Sequence, residues 1–251
     1  LIQEIKEMAV NQQAHVDKSA FVPVKYSVKQ RLQRRRDQLF ASYEQRRLVR
    51  KPFVIISNNC WGYELYQAIG REYNTPFIGL FLFPDCYLRL LENFENIITQ
   101  ELGFKTQSKY FSQKKHYPVG VLGDDIEIHF LHYSSEAEAR TKWTRRIERM
   151  QQARTAGAEL YIKLCDAENC GQAELARFHS LPFSHKLSLG FQPFQHPNHL
   201  HVPFLRNKAG TALVDGAKLF KKRYSYFDIT HWLLTGEITR TPRSRLLAMV
   251  S

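Results

Sequence analysis

Apolar positions recur along this chain with first a helical period and then an alternation of short runs and helical stretches. Val28, Leu32, Leu39 and Tyr43 fall at helical spacing, so residues 28–51 read as an amphipathic helix stopped by Pro52. Phe53 to Ser57 is a short apolar run, followed by the turn Asn58-Asn59-Cys60-Trp61-Gly62 and a helical stretch to Gly70. Phe77 to Phe83 reads as a second buried strand and Pro84 to Ile98 as its helix, which predicts a βαβ unit with the two strands paired in parallel. Val119 to Leu122 and Ile126 to Tyr133 flank Gly123-Asp124-Asp125, a hairpin signal. Ser135 followed by Glu138 fits a capping box and opens a helix with Ala139, Trp143, Ile147 and Met150 on its buried face. A strand over Glu159 to Cys165, a helix over Gln172 to Ser180, a strand over Lys186 to Phe191, a loop rich in Pro and His, and a helix near Asp228 to Leu234 complete the order. Residues 1–27 read as a short helix and an extended linker. The class is α/β: a mixed, partly parallel sheet with flanking helices in Rossmann-like units. A helical basic extension (1–51) precedes one domain (52–251).

Length and composition narrow the setting. A chain of 251 residues that is 43% hydrophobic buries a sizeable core, which excludes global disorder. Its 36 Lys and Arg against 24 Asp and Glu leave a charge of +12, which favours polyanionic partners. Nine of those basic residues stand between Val28 and Lys51 against Asp37 and Glu44 alone, a local balance of +7. That segment is therefore expected to touch an anionic membrane surface, whereas a specific nucleic-acid partner is not expected without a binding motif. Cys60, Cys86, Cys165 and Cys170 have no framework spacing, and no apolar run approaches the ~20 residues that cross a bilayer. The expected location is the cytoplasm, peripheral at the inner membrane. The first residue is Leu1 rather than Met, which fits a trimmed or processed start.

Candidate chemistry lies in four places. Ser57, Asn58, Asn59, Cys60, Trp61 and Gly62 lead from a strand into a helix, where unpaired backbone N–H groups can hold a phosphate; the alternative is that the asparagines only turn the chain and cap the helix while Trp61 packs. Cys60 at that helix start is a candidate nucleophile if a histidine lies close, and otherwise a small buried hydrophobe. Alternation along the strand places Glu127 and His129 on one face, ~7 Å apart, away from Ile126, Ile128 and Phe130. With Asp125 of the turn they are candidate proton acceptors, against an outer face open to water. Arg145 and Arg146 follow Trp143, one to clamp a phosphate and its neighbour to pair with an acid. His196, His199 and His201 form a cluster among prolines that reads as packing or solvated, and Cys165 with Cys170 lacks a second pair for zinc. No cofactor motif is evident; a divalent metal stays open.

Several strings together, Ile56-Ser57-Asn58-Asn59-Cys60-Trp61-Gly62, Tyr73-Asn74-Thr75-Pro76-Phe77-Ile78-Gly79-Leu80, Leu90-Leu91-Glu92-Asn93-Phe94, Ile126-Glu127-Ile128-His129-Phe130-Leu131-His132-Tyr133, Lys142-Trp143-Thr144-Arg145-Arg146 and Cys165-Asp166, resemble a bacterial family labelled exopolysaccharide biosynthesis proteins, over about residues 52–235. The resemblance implies a glycosyltransferase or related sugar-modifying transferase of surface-polysaccharide assembly, with a nucleotide sugar or other activated donor and a glycan acceptor. On that reading Glu127, His129 or Asp125 removes the acceptor proton. The 57–62 loop with Arg145 and Arg146 receives the leaving phosphate. The alternatives are a thiol-dependent hydrolase or acyltransferase at Cys60, or a non-catalytic assembly or membrane-surface binding protein.

Overall fold

A computed structural model describes residues 27–166 and 170–249. The reading of residues 1–27 as helix and linker falls, but for Ser27, outside them. The chain divides into two units, 1–35 and 36–251; of the first, the described part is 27–35, where helix α1 (Val28–Leu48) begins. All the other described elements belong to the second unit.

Strand β1 (Phe53–Ser57) leads into helix α2 (Trp61–Ile69) and then into a long excursion that carries α3 (Pro84–Glu92), α4 (Phe94–Ile97), β2 (Gly103–Lys105), β3 (Val119–Leu122), β4 (Ile126–His129) and α5 (Glu136–Thr155). The chain returns as β5 (Glu159–Cys165), α6 (Gln172–Ser180), β6 (His185–Gly190) and β7 (His199–His201), and ends in α7 (Gly216–Lys221), α8 (Ile229–Thr235) and α9 (Pro242–Met249). Strands β1, β5, β6 and β7 pair in that order, all parallel, while β2, β3 and β4 form an antiparallel sheet. The expected mixed α/β architecture with its N-terminal helix is therefore present.

The parallel sheet is apolar on both faces, as a sheet covered by helices on each side requires. Val54, Ile56, Ile162 and Leu164 pack with Leu88, Trp143, Met150 and Phe178 of α3, α5 and α6. Their neighbours Phe53, Ile55, Tyr161 and Leu187 pack on the other side with Leu65, Leu219 and Trp232 of α2, α7 and α8. The part of helix α1 from residue 36 onward belongs to this second layer. Its buried row is Phe40, Glu44 and Leu48, four residues apart, whereas Leu39 of the expected stripe is 62% exposed and Tyr43 half-buried. The helix turns a different face inward because Glu44 is a core residue: its carboxylate takes the Arg223 guanidinium through both oxygens and the Tyr224 hydroxyl at 2.9 Å. Where α1 ends, Arg71 donates to the carbonyls of Leu48, its last residue, and of Lys51 just beyond it, tying the exit of the helix to the start of β1.

The expected pairing of β1 with residues 77–83 does not occur. Gly79 adopts φ 68°, which breaks an extended run, and beyond it Phe81 pairs with His129 of the antiparallel sheet by two 2.8 Å hydrogen bonds. The parallel partner of β1 is β5. The other edge of β1 is closed by side chains: Asn74 donates to the Phe53 carbonyl at 2.9 Å and the Ile55 N–H donates to the Tyr66 hydroxyl at 3.1 Å. The hairpin, β5, α6 and β6 stand close to where the apolar pattern predicts them. The capping signal is realised with a shift, since Ser135 accepts from the Glu138 N–H at 3.2 Å but the Glu138 carboxylate reaches back to the N–H and hydroxyl of Ser134.

The outer face of β4 is covered rather than open to water. The segment 106–118 lies over it, and the fully buried His129 ring is surrounded by Phe81, Phe83, Tyr110, Phe111 and Tyr117. Behind the parallel sheet, Ser188 bridges His179 and His199 at 2.8 Å each, and the His196 ring stacks on that of His179.

Substitution and pH both probe these buried groups. Glu44→Ala should lower unfolding free energy by roughly 3–5 kcal/mol, because it strands the Arg223 charge in the core, while Leu39→Ala should stay within about 0.5 kcal/mol of wild type; urea midpoints check both. Burial lowers the His129 imidazole to about 4, against the opposing pull of Glu127, and burial with nearby cations lowers His179 to about 3. The folded state holds both rings neutral, whereas the unfolded chain binds protons below ~6.5. Stability is thus complete above that pH and falls as pH drops toward 4. His129→Phe should give a shallower decline between pH 6.5 and 4.

Candidate functional site

Residues 57–62 are built around the side chain of Asn58. Its amide oxygen accepts from the Cys165 N–H at 3.1 Å and its amide nitrogen donates to the Cys165 carbonyl at 3.3 Å, extending the β1–β5 ladder with a side chain. Asn59 donates to the Cys165 sulfur and accepts at one oxygen from the Trp61 N–H at 3.2 Å and from the fully buried Lys163 ammonium at 3.0 Å. Trp61 is packed between Phe220 and Phe227 and donates to the Tyr226 hydroxyl at 3.1 Å. Gly62 is there for space: a Cβ would stand 2.9 Å from Ile55. Most of this loop is therefore committed to structure, and the residue it turns outward is Cys60.

Two cavities meet at Cys60. One, of about 410 Å³, is bounded by Glu64, Tyr73, Tyr133, Lys142 and Arg146; the other, of about 380 Å³, by Asn59, Phe81, Phe111, Tyr117, Leu131 and Asp215; Cys60, His132 and Ala217 line both. Helix α2 contributes Glu64 one turn in from its N-terminus, and α5 contributes Lys142 and Arg146, four residues apart and hence on one face. Arg145, next in sequence, points about 100° away and is exposed, so the expected pair of arginines is not a pair.

Arg146 is 6% exposed. One terminal nitrogen donates to the Tyr133 hydroxyl at 2.5 Å, the guanidinium lies 5.0 Å over the Tyr73 ring, and its Nε is buried with no hydrogen-bond partner. Lys142 is anchored by Glu138 at 2.5 Å. Across the cavity Glu64 is half-buried, and burial raises its carboxyl above the usual range while Lys221 and Arg223 pull it back. Among the described residues neither Arg146 nor Glu64 makes an ion pair within 4.0 Å. The Cys60 thiol is pushed up to about 11 by burial and by Glu64 and Asp215, which opposes a thiolate even though His132 stands in the same cavities.

Glu127 and His129 share a face, as alternation predicts, and their strand is close to the 57–62 loop: the Leu82 N–H donates to the Asn58 carbonyl at 3.0 Å, one residue from the Phe81–His129 pair. Their side chains are fully buried beneath the segment 106–118. Glu127 is sealed by the Ser108 hydroxyl at 2.6 Å and the Lys109 N–H at 2.9 Å, with His129 at 3.6 Å, and neither residue lines the two cavities. Asp125 sits at the hairpin between Lys105, Lys109 and Arg89, and hydrogen bonds from Lys109 and Lys105 lower its carboxyl to about 2. A group so paired is a weak proton acceptor at neutral pH. Glu64 and His132, which do face the cavities, were legible only as a helix residue beyond the turn and as the last histidine of a strand. His199 bonds Ser188 and the Gln192 carbonyl and His201 the Phe191 carbonyl; among the described residues no group of three or more His, Cys, Asp or Glu is placed to hold a metal ion.

A family model described as a domain of unknown function, DUF1919, matches residues 31–234. The match begins within α1, consistent with the Glu44 contact that ties that helix to the core. An uncharacterized protein of Haemophilus influenzae is 32% identical over 191 residues, covering 75% of this chain and 87% of the relative. The chain belongs to the DUF1919 family.

Proposed function

We propose that the protein is a transferase acting on a phosphate-bearing activated donor, of the glycosyltransferase type used in bacterial surface-polysaccharide assembly. The observation that carries this reading is two opposite charges that line one cavity and, among the described residues, make no ion pair within 4.0 Å: Arg146, buried with its Nε unpartnered, and Glu64, half-buried. A buried guanidinium without a counter-ion is a site for an anion from solution, and its planar fork suits phosphate. Lys142, one turn before Arg146 on the same helix face, lines the same cavity and adds positive potential beside it.

In the reaction the acceptor hydroxyl gives its proton to the Glu64 carboxylate, the acceptor oxygen bonds the sugar carbon, and the carbon–oxygen bond to phosphate breaks with its electron pair leaving on phosphate. Arg146 and Lys142 receive that charge as it develops. His132 lies at the junction of the cavities, where it can hold the acceptor oxygen. The resemblance in sequence supports the polysaccharide setting, and with it a cytoplasmic protein that meets an anionic membrane through residues 28–51. A thiol enzyme at Cys60 is the second reading, favoured by His132 in the same cavities and opposed by the raised thiol.

Activated sugar phosphates should raise thermal stability, by about 2.7 kcal/mol at a hundredfold excess over Kd, and Arg146→Gln should abolish the shift. Glu64→Gln should lower turnover by roughly 10² to 10⁴ while leaving the ligand shift intact, and should remove an acid limb of the rate profile that lies above the ordinary carboxylate range. Cys60→Ser should keep most activity. Loss of turnover in folded Cys60→Ser with Glu64→Gln unaffected would transfer the chemistry to the thiol.

A further inference from the structure

The second cavity differs in character from the first. Phe81, Phe111, Tyr117 and Leu131 form its wall, and beyond His132 at the junction the polar side chains Asn59, Tyr117 and Asp215 that reach it are engaged within the fold. The Asn59 amide is held by Cys165, Trp61 and Lys163. Both Asp215 oxygens are held by Lys218, through its N–H at 2.9 Å and its ammonium at 2.7 Å, and the Tyr117 hydroxyl lies 3.4 Å from the His129 ring nitrogen. Sites that read a base or a sugar need convergent, uncommitted donors and acceptors. This cavity offers hydrocarbon and ring surface. It is also not separate from the anion site, because Cys60, His132 and Ala217 line both, so one molecule can occupy the two at once.

We propose that the phosphate held by Arg146 carries an aliphatic chain, of the alkyl or isoprenoid kind, and that this chain lies in the second cavity. The inference rests on the anion-site reading above and deepens it: the donor is a lipid-linked phosphate, and the leaving group is the lipid phosphate itself. The position of the junction fits such a molecule. The charged head faces Arg146 and Lys142, the chain runs past His132 and Cys60 along Phe81 and Leu131, and the sugar is left on the Glu64 side. Leu131 is 39% exposed, so the cavity has an apolar lip through which a chain can leave.

The test uses alkyl phosphates from ethyl to octyl below their micellar concentrations, with inorganic phosphate and uridine 5′-monophosphate as controls, and calorimetry on the full chain. Each methylene that enters the cavity should tighten binding about fourfold, so octyl phosphate, with four more methylenes, should bind about 250-fold more tightly than butyl phosphate. Leu131→Asp, at a partly exposed position that should not upset folding, should flatten this dependence, and Phe111→Ser should do the same as an independent check. Arg146→Gln should weaken every phosphate by a similar factor and leave the chain-length slope unchanged. A flat wild-type series that still depends on Arg146 would overturn the chain proposal and leave the anion site standing. So would a Leu131-dependent gain for uridine monophosphate over ethyl phosphate equal to that of octyl phosphate. Failure to bind any phosphate, inorganic phosphate included, would remove the anion-site reading and the inference with it.

Discussion

The pairing of the Asn58 side chain with the Cys165 backbone is the contact on which the rest of the arrangement depends. A strand that ends at Ser57 would ordinarily leave its next residue to continue the ladder or to bond water. Here an amide side chain bonds both polar groups of Cys165. That leaves the Asn58 carbonyl to accept from Leu82, while the adjacent Phe81 pairs with His129, so one residue links the parallel sheet to the antiparallel one. The link brings the end of β4, and with it Leu131 and His132, to the mouth of the turn that presents Cys60. Gly216 packs on the other side of this turn so closely that a Cβ would lie 2.6 Å from the Asn59 oxygen and the Trp61 nitrogen, which brings Ala217 into both cavities.

Buried polar groups in the scaffold share one solution to the cost of burial. Lys163 is wholly inside, and burial lowers its ammonium below the usual range, yet it donates to Asn59 and stands 5.8 Å over the Trp61 ring. Asp166, raised by burial, accepts from the N–H groups of Phe191, Gln192 and Leu213 and so fixes the loops beyond β6. Glu127 is sealed by a hydroxyl and an N–H. In each case a charge or potential charge has been given partners from the fold itself, which makes it part of the scaffold.

The fold was legible where local pattern and tertiary demand agree. Val54, Ile56, Ile162 and Leu164 belong to runs too apolar for anything but a strand covered on both sides, and Gly123 at φ 56° closes the hairpin its flanks predict. Where they disagree the pattern misled. Residues 77–83 look like a strand beside β1, but Gly79 bends the run and Phe81 has a better partner in His129. Leu39 looks like a core residue of α1 because nothing local reveals that Glu44 will find Arg223 and Tyr224, some 180 positions later. The site was legible in part for the same reason. Alternation places Glu127 and His129 on one face correctly, but a segment without periodicity, 106–118, covers that face. Glu64 lies in the helical stretch that runs to Gly70, where no local pattern marks it out; the fold sets it in one cavity with Arg146.

Helix α5 makes the contrast between scaffold and site sharpest. Arg140, Arg149 and Arg154 lie toward solvent, where an ion pair contributes little, and each has an acid: Glu101, Glu72 and Glu95. Arg146 is the buried one, where an unpaired charge costs several kcal/mol, and it has a tyrosine hydroxyl and two aromatic rings instead. Hydrogen bonding and cation–π contact, about 2 kcal/mol or more for a desolvated ring, offset part of that cost. Elsewhere the fold shows that it can supply a carboxylate to a buried arginine, since Arg223 has Glu44. The acid that lines the Arg146 cavity, Glu64, is held on another element without an ion pair to it within 4.0 Å. On the proposed reading, an arrangement that keeps both charges apart in one cavity would retain the free energy of anion binding for a ligand and would keep a carboxylate beside it to accept a proton.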